Sequence, residues 1–390
     1  MIWIRKNLFR SVSDGIISVI VGGVAVFVAY RLLLFIFVDG RWGIVKANLS
    51  LLTHNAWPTD DLWRLASVIM AWVFLAFTVG SISKAKTSDE VSVPFVGRIL
   101  DLASRLWPVA LVVGLLLALT ETPGPSMVVL GVVVAAVVGR LCGGLLPGRY
   151  KTALTLVAVV IGLVGVWYLQ QGLEWDKWGG FFFNAFVAVV SITLCFPLGI
   201  GLALGRRSEF PVLRWLSVGF IELFRGVPLI TWLLMGRDSL GFFVPQELAP
   251  GSMVRGLVVL VLFTAAYVAE IIRGGLQSVP KGQVEAARAN GLTPIPITLR
   301  IVLPQAIRNV IPALVGQAIS LFKDTTLVGV ALGFAGLLKV AEAITQQSEF
   351  RGQGLIYESL AFVLLIFWAG CFTMSRESQR LEFKLGVGSR

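Results

Sequence analysis

Residues 277–305 read QSVPKGQVEAARANGLTPIPITLRIVLPQ, a polar stretch held between two apolar runs, 252–276 and 306–333. Its middle makes a short helix. Val284 to Asn290 spans about two turns and is rich in Ala, the strongest helix former. Gly291 suits the left-handed residue that ends a helix, and Pro294 and Pro296 forbid continuation. Ala286, Ala287 and Ala289 give the helix a low profile that another surface can approach closely. Glu285 near its start suits the helix dipole, and Arg288 offers a polar contact.

What flanks this loop decides the fold class. The chain has 390 residues, 56% apolar and only 14% charged, against about 25% charged in a soluble domain. Apolar runs lie near 16–38, 65–82, 102–120, 126–146, 152–170, 178–205, 211–235, 252–276, 306–333 and 355–375. At about 20 residues per crossing, ten spans leave only loops between them. The runs are too long for barrel strands, and a lipid-exposed chain must satisfy its own backbone hydrogen bonds, so each reads as a helix. The expectation is an all-α integral membrane protein of about ten transmembrane helices. A nucleotide-hydrolysing domain or ligand-binding lobe of about 100 residues has no room: the longest polar stretches are 39–64 and 277–305.

The net charge of +11 would suggest nucleic acid in a soluble protein. Here its distribution over loops is the better guide, and no nucleic-acid partner is expected. With the N-terminus in the cytoplasm, 22 of the 33 Lys and Arg fall on the inner side, eight on the outer side, and Arg31, Arg225 and Lys323 within spans. That bias places both termini and the 277–305 loop in the cytoplasm. Arg5, Lys6 and Arg10 precede an apolar run that reaches Val38 without a small-residue cleavage site, which reads as a retained first span. Composition divides the chain near residue 175. Region 1–175 is a five-span extension of Val, Leu, Ala and Gly, and 176–390 is a five-span core that carries the intramembrane charges and internal prolines.

Cys142, Cys195 and Cys371 lie in apolar runs without C-x-x-C spacing, and His54 has no second histidine, so no disulfide or metal site is expected. His54 reads as a solvated loop residue. The tryptophans near span ends (Trp42, Trp57, Trp63, Trp107, Trp167, Trp175, Trp178) read as an interfacial belt. Gly131, Gly162 and Gly165 read as close-packing positions. Loop 39–64, with Asp39, Asp60 and Asp61, reads as a solvated connector or a surface for a binding protein.

Glu222, Arg225, Lys323 and Asp324 lie near the middles of their spans, where a charge costs about 2.5–3.5 kcal/mol on insertion scales. Such groups should face protein or water. Glu222 and Arg225, three apart, can pair on one helix face, as can Glu270 and Arg273 at the cytoplasmic end of the 252–276 run. Lys323 and Asp324 diverge by about 100°. Together with Glu270, Thr325, Thr326 and Ser320 they either tie helices together or line a midplane cavity, with Pro197, Pro228 and Pro312 breaking helices to expose backbone polar groups.

The loop spacing, E-A-A at 285–287, then Gly291, Ile301, Leu303 and Pro304, matches at each fixed position the EAA loop of ABC-importer permease subunits. The stretches Glu222-Leu-Phe-Arg225-Gly226-Val-Pro228, Ala266-Tyr267-Val-Ala-Glu270 and Ile319-Ser320-Leu-Phe-Lys323-Asp324-Thr325 resemble the polar amino-acid ABC importer permeases of the histidine, glutamine and glutamate type. The long N-terminal region looks like that of the general L-amino-acid permeases. This resemblance covers about 178–376. It implies a type I ABC importer core in the bacterial inner membrane that moves polar L-amino acids inward. Glu285, Ala286, Ala287, Arg288, Gly291, Ile301, Leu303 and Pro304 would then form the coupling site for a separate ATPase. The other implied partners are a second homologous permease in a heterodimer, an extracytoplasmic amino-acid-binding protein and membrane lipid. ATP and Mg would be bound by the ATPase, since this chain has no Gly-Lys pair and hence no G-x-x-x-x-G-K-[ST] loop. No catalytic residue of its own is implied. Trp232 departs from the family pattern, standing where shorter members commonly carry Gln. Two other classes fit a ten-span chain: an ion-coupled secondary transporter and a non-transporting structural subunit.

Overall fold

The computed structural model describes residues 11–55, 62–85, 124–150, 178–239 and 251–386, with short stretches between 107 and 115 and between 153 and 168. Helix α1, Val12–Leu34, starts where Ser11 Oγ accepts the Asp14 amide at 3.1 Å, and it runs on as a π turn, Phe35–Asp39. None of its side chains is buried, as befits a helix whose solvent is hydrocarbon. Helices α2 (Gly43–Ala47) and α3 (Leu49–His54) follow, then α4 (Leu62–Ala85) and α5 (Gly124–Leu145).

Glycine sets the spacing of α4 against α5. Gly131 lies against the Met70 side chain, Gly139 against the Phe74 carbonyl and Gly143 against the Thr78 carbonyl, so the two helices run parallel, and no Cβ fits at the two positions that meet backbone. Small residues let backbones approach in this way where lipid offers no hydrophobic drive. Gly165 meets Val68 in the same fashion. The expected spans 102–120 and 152–170 lie largely outside the described residues, as do Trp57, Asp60, Asp61, Gly162, Trp167 and Trp175.

The second half is built on α6 (Gly180–Arg206), α7 (Pro211–Gly226), α8 (Leu229–Asp238), α9 (Ser252–Ser278), α10 (Lys281–Ala289), α11 (Leu303–Leu332), α12 (Leu337–Ala343) and α13 (Ile356–Leu385). Gly199 packs on the Ala265 carbonyl and Val268, while Arg207 reaches the Leu276 carbonyl at 3.3 Å, so α6 and α9 are parallel. Gly275 lies on the Ala306 carbonyl and Gly256 on Leu332, which makes α9 and α11 antiparallel. One end of this bundle therefore holds Arg206, Ser278, α10 and the start of α11. The other holds Gly180, Ser252 and Leu332.

Among the described residues four helices are long and apolar enough to cross a membrane: Val12–Asp39, Gly180–Arg206, Ser252–Ser278 and Ile356–Phe383. A fifth crossing is made if α7 and α8 count as one. That pair corrects the expectation of one continuous span over 211–235, because α7 and α8 meet at 102°. Pro228 supplies no N–H, and Val227 before it is extended (φ −118°, ψ 139°), the conformation that a following proline favours. Pro197 and Pro312 were expected to break helices too, yet each lies inside a continuous helix, where neighbouring helices keep the chain aligned.

The 39–64 segment is also corrected. Ile44, Val45, Leu49 and Leu52 are buried in the same apolar core as α6, α9 and α11. His54, expected in solvent, is 2% exposed, with Nε2 at 3.0 Å from Ser50 Oγ one turn earlier on α3. The hydrophobic residues recur at helical spacing through this short polar stretch, and burying them outweighs solvating the loop.

Candidate functional site

Three places carry the residues singled out from the sequence. The first is α10, beyond the end of α9. It begins at Lys281, three residues before the expected start, so Glu285 stands in its second turn rather than at the positive end of the dipole. Its C-terminus is a complete Schellman motif: Leu292 N–H donates to Ala287 O at 3.2 Å, Gly291 N–H donates to Arg288 O at 2.9 Å, and Gly291 has φ +78°. Ala287 is buried, whereas Glu285, Ala286, Arg288 and Gly291 face outward. The helix rests on a π turn, Ile297–Val302, that leads into α11. Ile301 and Leu303 are half-buried and Pro304 is exposed. The motif thus supplies an exposed knob and the seat beneath it.

The second place is an ion cluster around Glu270. Arg273 Nε donates to Glu270 Oε1 at 2.8 Å, and Arg206 Nη1 lies 3.2 Å from Glu270 Oε2 and 3.0 Å from Glu222 Oε1. Arg225 Nη1 is 3.8 Å from Glu270 Oε2, and its guanidinium lies 5.5 Å from the centre of the Tyr267 ring. Glu222 therefore pairs with Arg206, and Arg225 turns to Glu270, in place of the pair expected between the two. Because Arg206 ends α6, the cluster sits toward the end of the bundle that bears α10, not at mid-depth. Three cations against two carboxylates leave it net positive.

The third place is the far half of α11. Lys323 is exposed, Ser320 and Asp324 are half-buried, and Thr325 is fully buried. None of these joins the Glu270 cluster, so the structure divides the four charges expected at mid-span, Glu222 and Arg225 going to the cluster and Lys323 and Asp324 standing apart from it. Thr325 Oγ1 donates to Phe322 O at 2.7 Å and accepts Asn184 Nδ2 at 3.0 Å. Asn184 Oδ1 in turn accepts the Leu337 amide at 2.8 Å. Asn184 escaped the sequence reading, although a lone amide in the apolar run 181–190 was a visible signal. Thr326 Oγ1 donates to Lys323 O at 2.8 Å. Arg237 Nη1 and Lys339 Nζ donate to Ala331 O and Gly333 O, each at 2.7 Å, and so neutralise the negative end of α11.

Trp232, the departure from pattern, stacks on Phe224 at 4.4 Å between ring centres and closes the bend between α7 and α8. Cys195 donates to Ile192 O at 3.4 Å and lines a small cavity with Thr264, Gln317 and Leu321. Among the described residues no group of three His, Cys, Asp or Glu could hold a metal.

Residues 195–386 match the family model described as "Binding-protein-dependent transport system inner membrane component". The chain is 33% identical to the inner membrane amino-acid ABC transporter permease protein YhdY of Escherichia coli, covering 100% of this chain and 94% of that one. It is 34% identical to the glutamate/glutamine/aspartate/asparagine transport system permease protein BztC of Rhodobacter capsulatus, over 88% and 78%. The likeness to YhdY spans the N-terminal region too, and so extends the resemblance read over 178–376. A crystal structure of an amino acid ABC transporter with histidines superposes on 53% of this chain and 92% of its own, with TM-score 0.47 and 30% identity.

Proposed function

Because this chain belongs to the family of binding-protein-dependent transport system inner membrane components, we propose that it is the permease subunit of an ATP-driven importer of polar L-amino acids. The observation that carries the reading is α10. A nine-residue helix with a complete C-terminal cap stands at the end of the bundle and faces outward with Glu285, Ala286, Arg288 and Gly291. It is built to be gripped. An ATPase subunit binds it and, on closing around ATP and Mg, tilts α11 through the π turn on which α10 rests. The Lys and Arg bias over the loops supports a cytoplasmic location for α10 and for both termini.

The substrate is inferred from chemistry and from the relatives. An α-amino acid presents an ammonium and a carboxylate, and Asp324 and Lys323 offer one partner of each sign, with the half-buried Ser320 on the same helix. Thr325, fully buried and bonded to Asn184 and Phe322, positions this part of α11 instead. Glu222, Arg225 and Glu270 belong to the inward end of the same route, where pairing with Arg206 and Arg273 closes it. The names of the two curated relatives, one of them a glutamate, glutamine, aspartate and asparagine system, support amino acids as the cargo. A second homologous permease and an extracytoplasmic binding protein complete the assembly, with 1–175 as a membrane extension of this subunit.

The test is reconstitution. The chain, purified with its ATPase, second permease and binding protein and placed in vesicles, should accumulate labelled glutamate, glutamine, aspartate or asparagine only when ATP is supplied on the α10 side. Accumulation driven by an ion gradient without the ATPase would instead establish a secondary carrier.

A further inference from the structure

We propose that Asn184 is a positioning residue that holds the outer segment 333–337 against the part of α11 that bears Lys323 and Asp324, so that the outer end of the pathway opens only when α11 moves. The inference rests on the importer reading given above. Its basis is a continuous chain of hydrogen bonds across three elements: Leu337 N–H to Asn184 Oδ1, Asn184 Nδ2 to Thr325 Oγ1, and Thr325 Oγ1 to Phe322 O. Asn184 and Thr325 are each 0% exposed, so water cannot replace what a substitution removes.

The surrounding backbone fits the same purpose. Gly179 and Gly180 form parallel bridges to Ala335 and Gly336, which lay the crossing segment along the start of α6. Gly329 stands one turn beyond Thr325 on the same face of α11, and the backbone of Phe334 and Gly336 lies against it. Behind this layer Gly180, at φ +59°, faces the Leu52 and Thr53 carbonyls of α3. The segment is thus pinned from both sides, and among the described residues Asn184 is the side chain whose hydrogen bonds join the Leu337 amide to Thr325 of α11, while Lys339 holds only Gly333 at the end of α11. Thr325 is sequence-adjacent to Asp324. A displacement of α11 that moves Asp324 therefore strains the hydrogen bond to Asn184, and release of that bond leaves the carboxamide that holds the Leu337 amide no longer fixed by α11. The coupling is local, between two hydrogen bonds that share one carboxamide.

The test uses the complete complex with labelled glutamate, glutamine, aspartate and asparagine. Two quantities are read: ATP hydrolysed per amino acid accumulated, and hydrogen–deuterium exchange of the amides of 333–340. Asn184→Leu, which keeps the branched shape and removes both bonds, should raise exchange at Leu337 and raise the ATP spent per amino acid at least roughly fivefold, the shift that loss of even one buried hydrogen bond gives. Asn184→Asp, which at this buried position carries its proton, still accepts from Leu337 N–H and donates to Thr325 Oγ1, and it should bring the ratio back toward that of the unaltered chain. A fall of ATP hydrolysis and uptake in equal proportion in Asn184→Leu would mean a merely structural residue and would overturn the proposal. Unchanged exchange at Leu337 would overturn it as well, and this second measurement holds even if none of the four amino acids is cargo. In that event the unaltered complex itself accumulates none, so failure of the importer reading is told apart from failure of the clamp.

Discussion

Arg206, the last residue of α6, bridges Glu222 of α7 and Glu270 of α9 with one nitrogen, at 3.0 and 3.2 Å. Three helices therefore meet on a single guanidinium at the end of the bundle that bears α10. A planar donor group suits such a role better than a flexible ammonium, because less freedom is lost for each bond formed.

Glu270 is the keystone of that cluster. Glu270→Gln leaves Arg206, Arg225 and Arg273 facing one another with their common counter-charge removed. The carboxylate is partly exposed, so the loss is smaller than for a dry pair, about 1–3 kcal/mol. The expected result is a lower thermal transition for the detergent-solubilised complex, with Glu222→Gln, at an exposed site, costing less than 1 kcal/mol. Equal transitions for the two variants would remove the special place given to Glu270.

Much of this arrangement was legible in the residues themselves. Helical spans follow from long apolar runs, and the ending of α10 follows from Gly291 and the two prolines after it, since local chemistry decides both. Partner choice was not legible. The 222/225 spacing allows a pair on one face, but Arg206 is placed by the turn between α6 and α7, which periodicity does not encode. Likewise His54 and Leu52 read as loop because the stretch is polar on average, while burial depends on which core the short helix meets. The break at Pro228 was visible as a proline in an apolar run. Pro197 and Pro312, equally visible, break nothing, because tertiary packing decides between a kink and a continuous helix.

Phe224 and Trp232 hold the 102° bend closed by stacking nearly parallel, 13° apart. Trp232→Ala removes that contact and leaves a hole beside Phe224; because Trp232 is half-buried, the cost should fall below that of a fully buried aromatic, about 3–5 kcal/mol. Trp232→Phe keeps a ring and should cost less than half as much. Limited proteolysis around 226–230 reads the difference: early cleavage in Trp232→Ala alone is expected, and equal cleavage in both would show that the ring is not what closes the bend.

Gln347 Nε2 donates to Asn48 Oδ1 at 2.8 Å, and the Arg41 amide donates to Glu358 Oε1 at 3.1 Å, so the segment before α4 is fastened both to the loop ahead of α13 and to the first turn of α13. Cysteines at 48 and 347 should be joined by a short bifunctional maleimide, and the linked peptides identified by mass spectrometry. Gly180→Ala strikes the same layer from within. A left-handed φ costs a non-glycine residue about 1–2 kcal/mol, and the new methyl meets the Leu52 carbonyl. Reduced cross-linking in Gly180→Ala is the outcome that ties the two contacts to one interface; undiminished cross-linking would separate them.

Gly291 closes α10 at φ +78°, where a β-branched residue is a steric outlier. Gly291→Val should unravel the Schellman turn and turn Arg288 away from its present direction. The Cβ itself meets nothing within 4 Å, so the damage stays in the local backbone and the bundle still inserts. Glu285→Lys tests the same surface by charge alone, since Glu285 is exposed and its reversal leaves the helix intact. Both variants should reach the membrane in normal amount, lose ATP-driven uptake by tenfold or more, and fail to retain the ATPase during purification. Gly291→Ala, with a smaller penalty, should keep part of each activity. If Glu285→Lys retains both the ATPase and full uptake, α10 is a surface turn, and the drive must enter the bundle through another face.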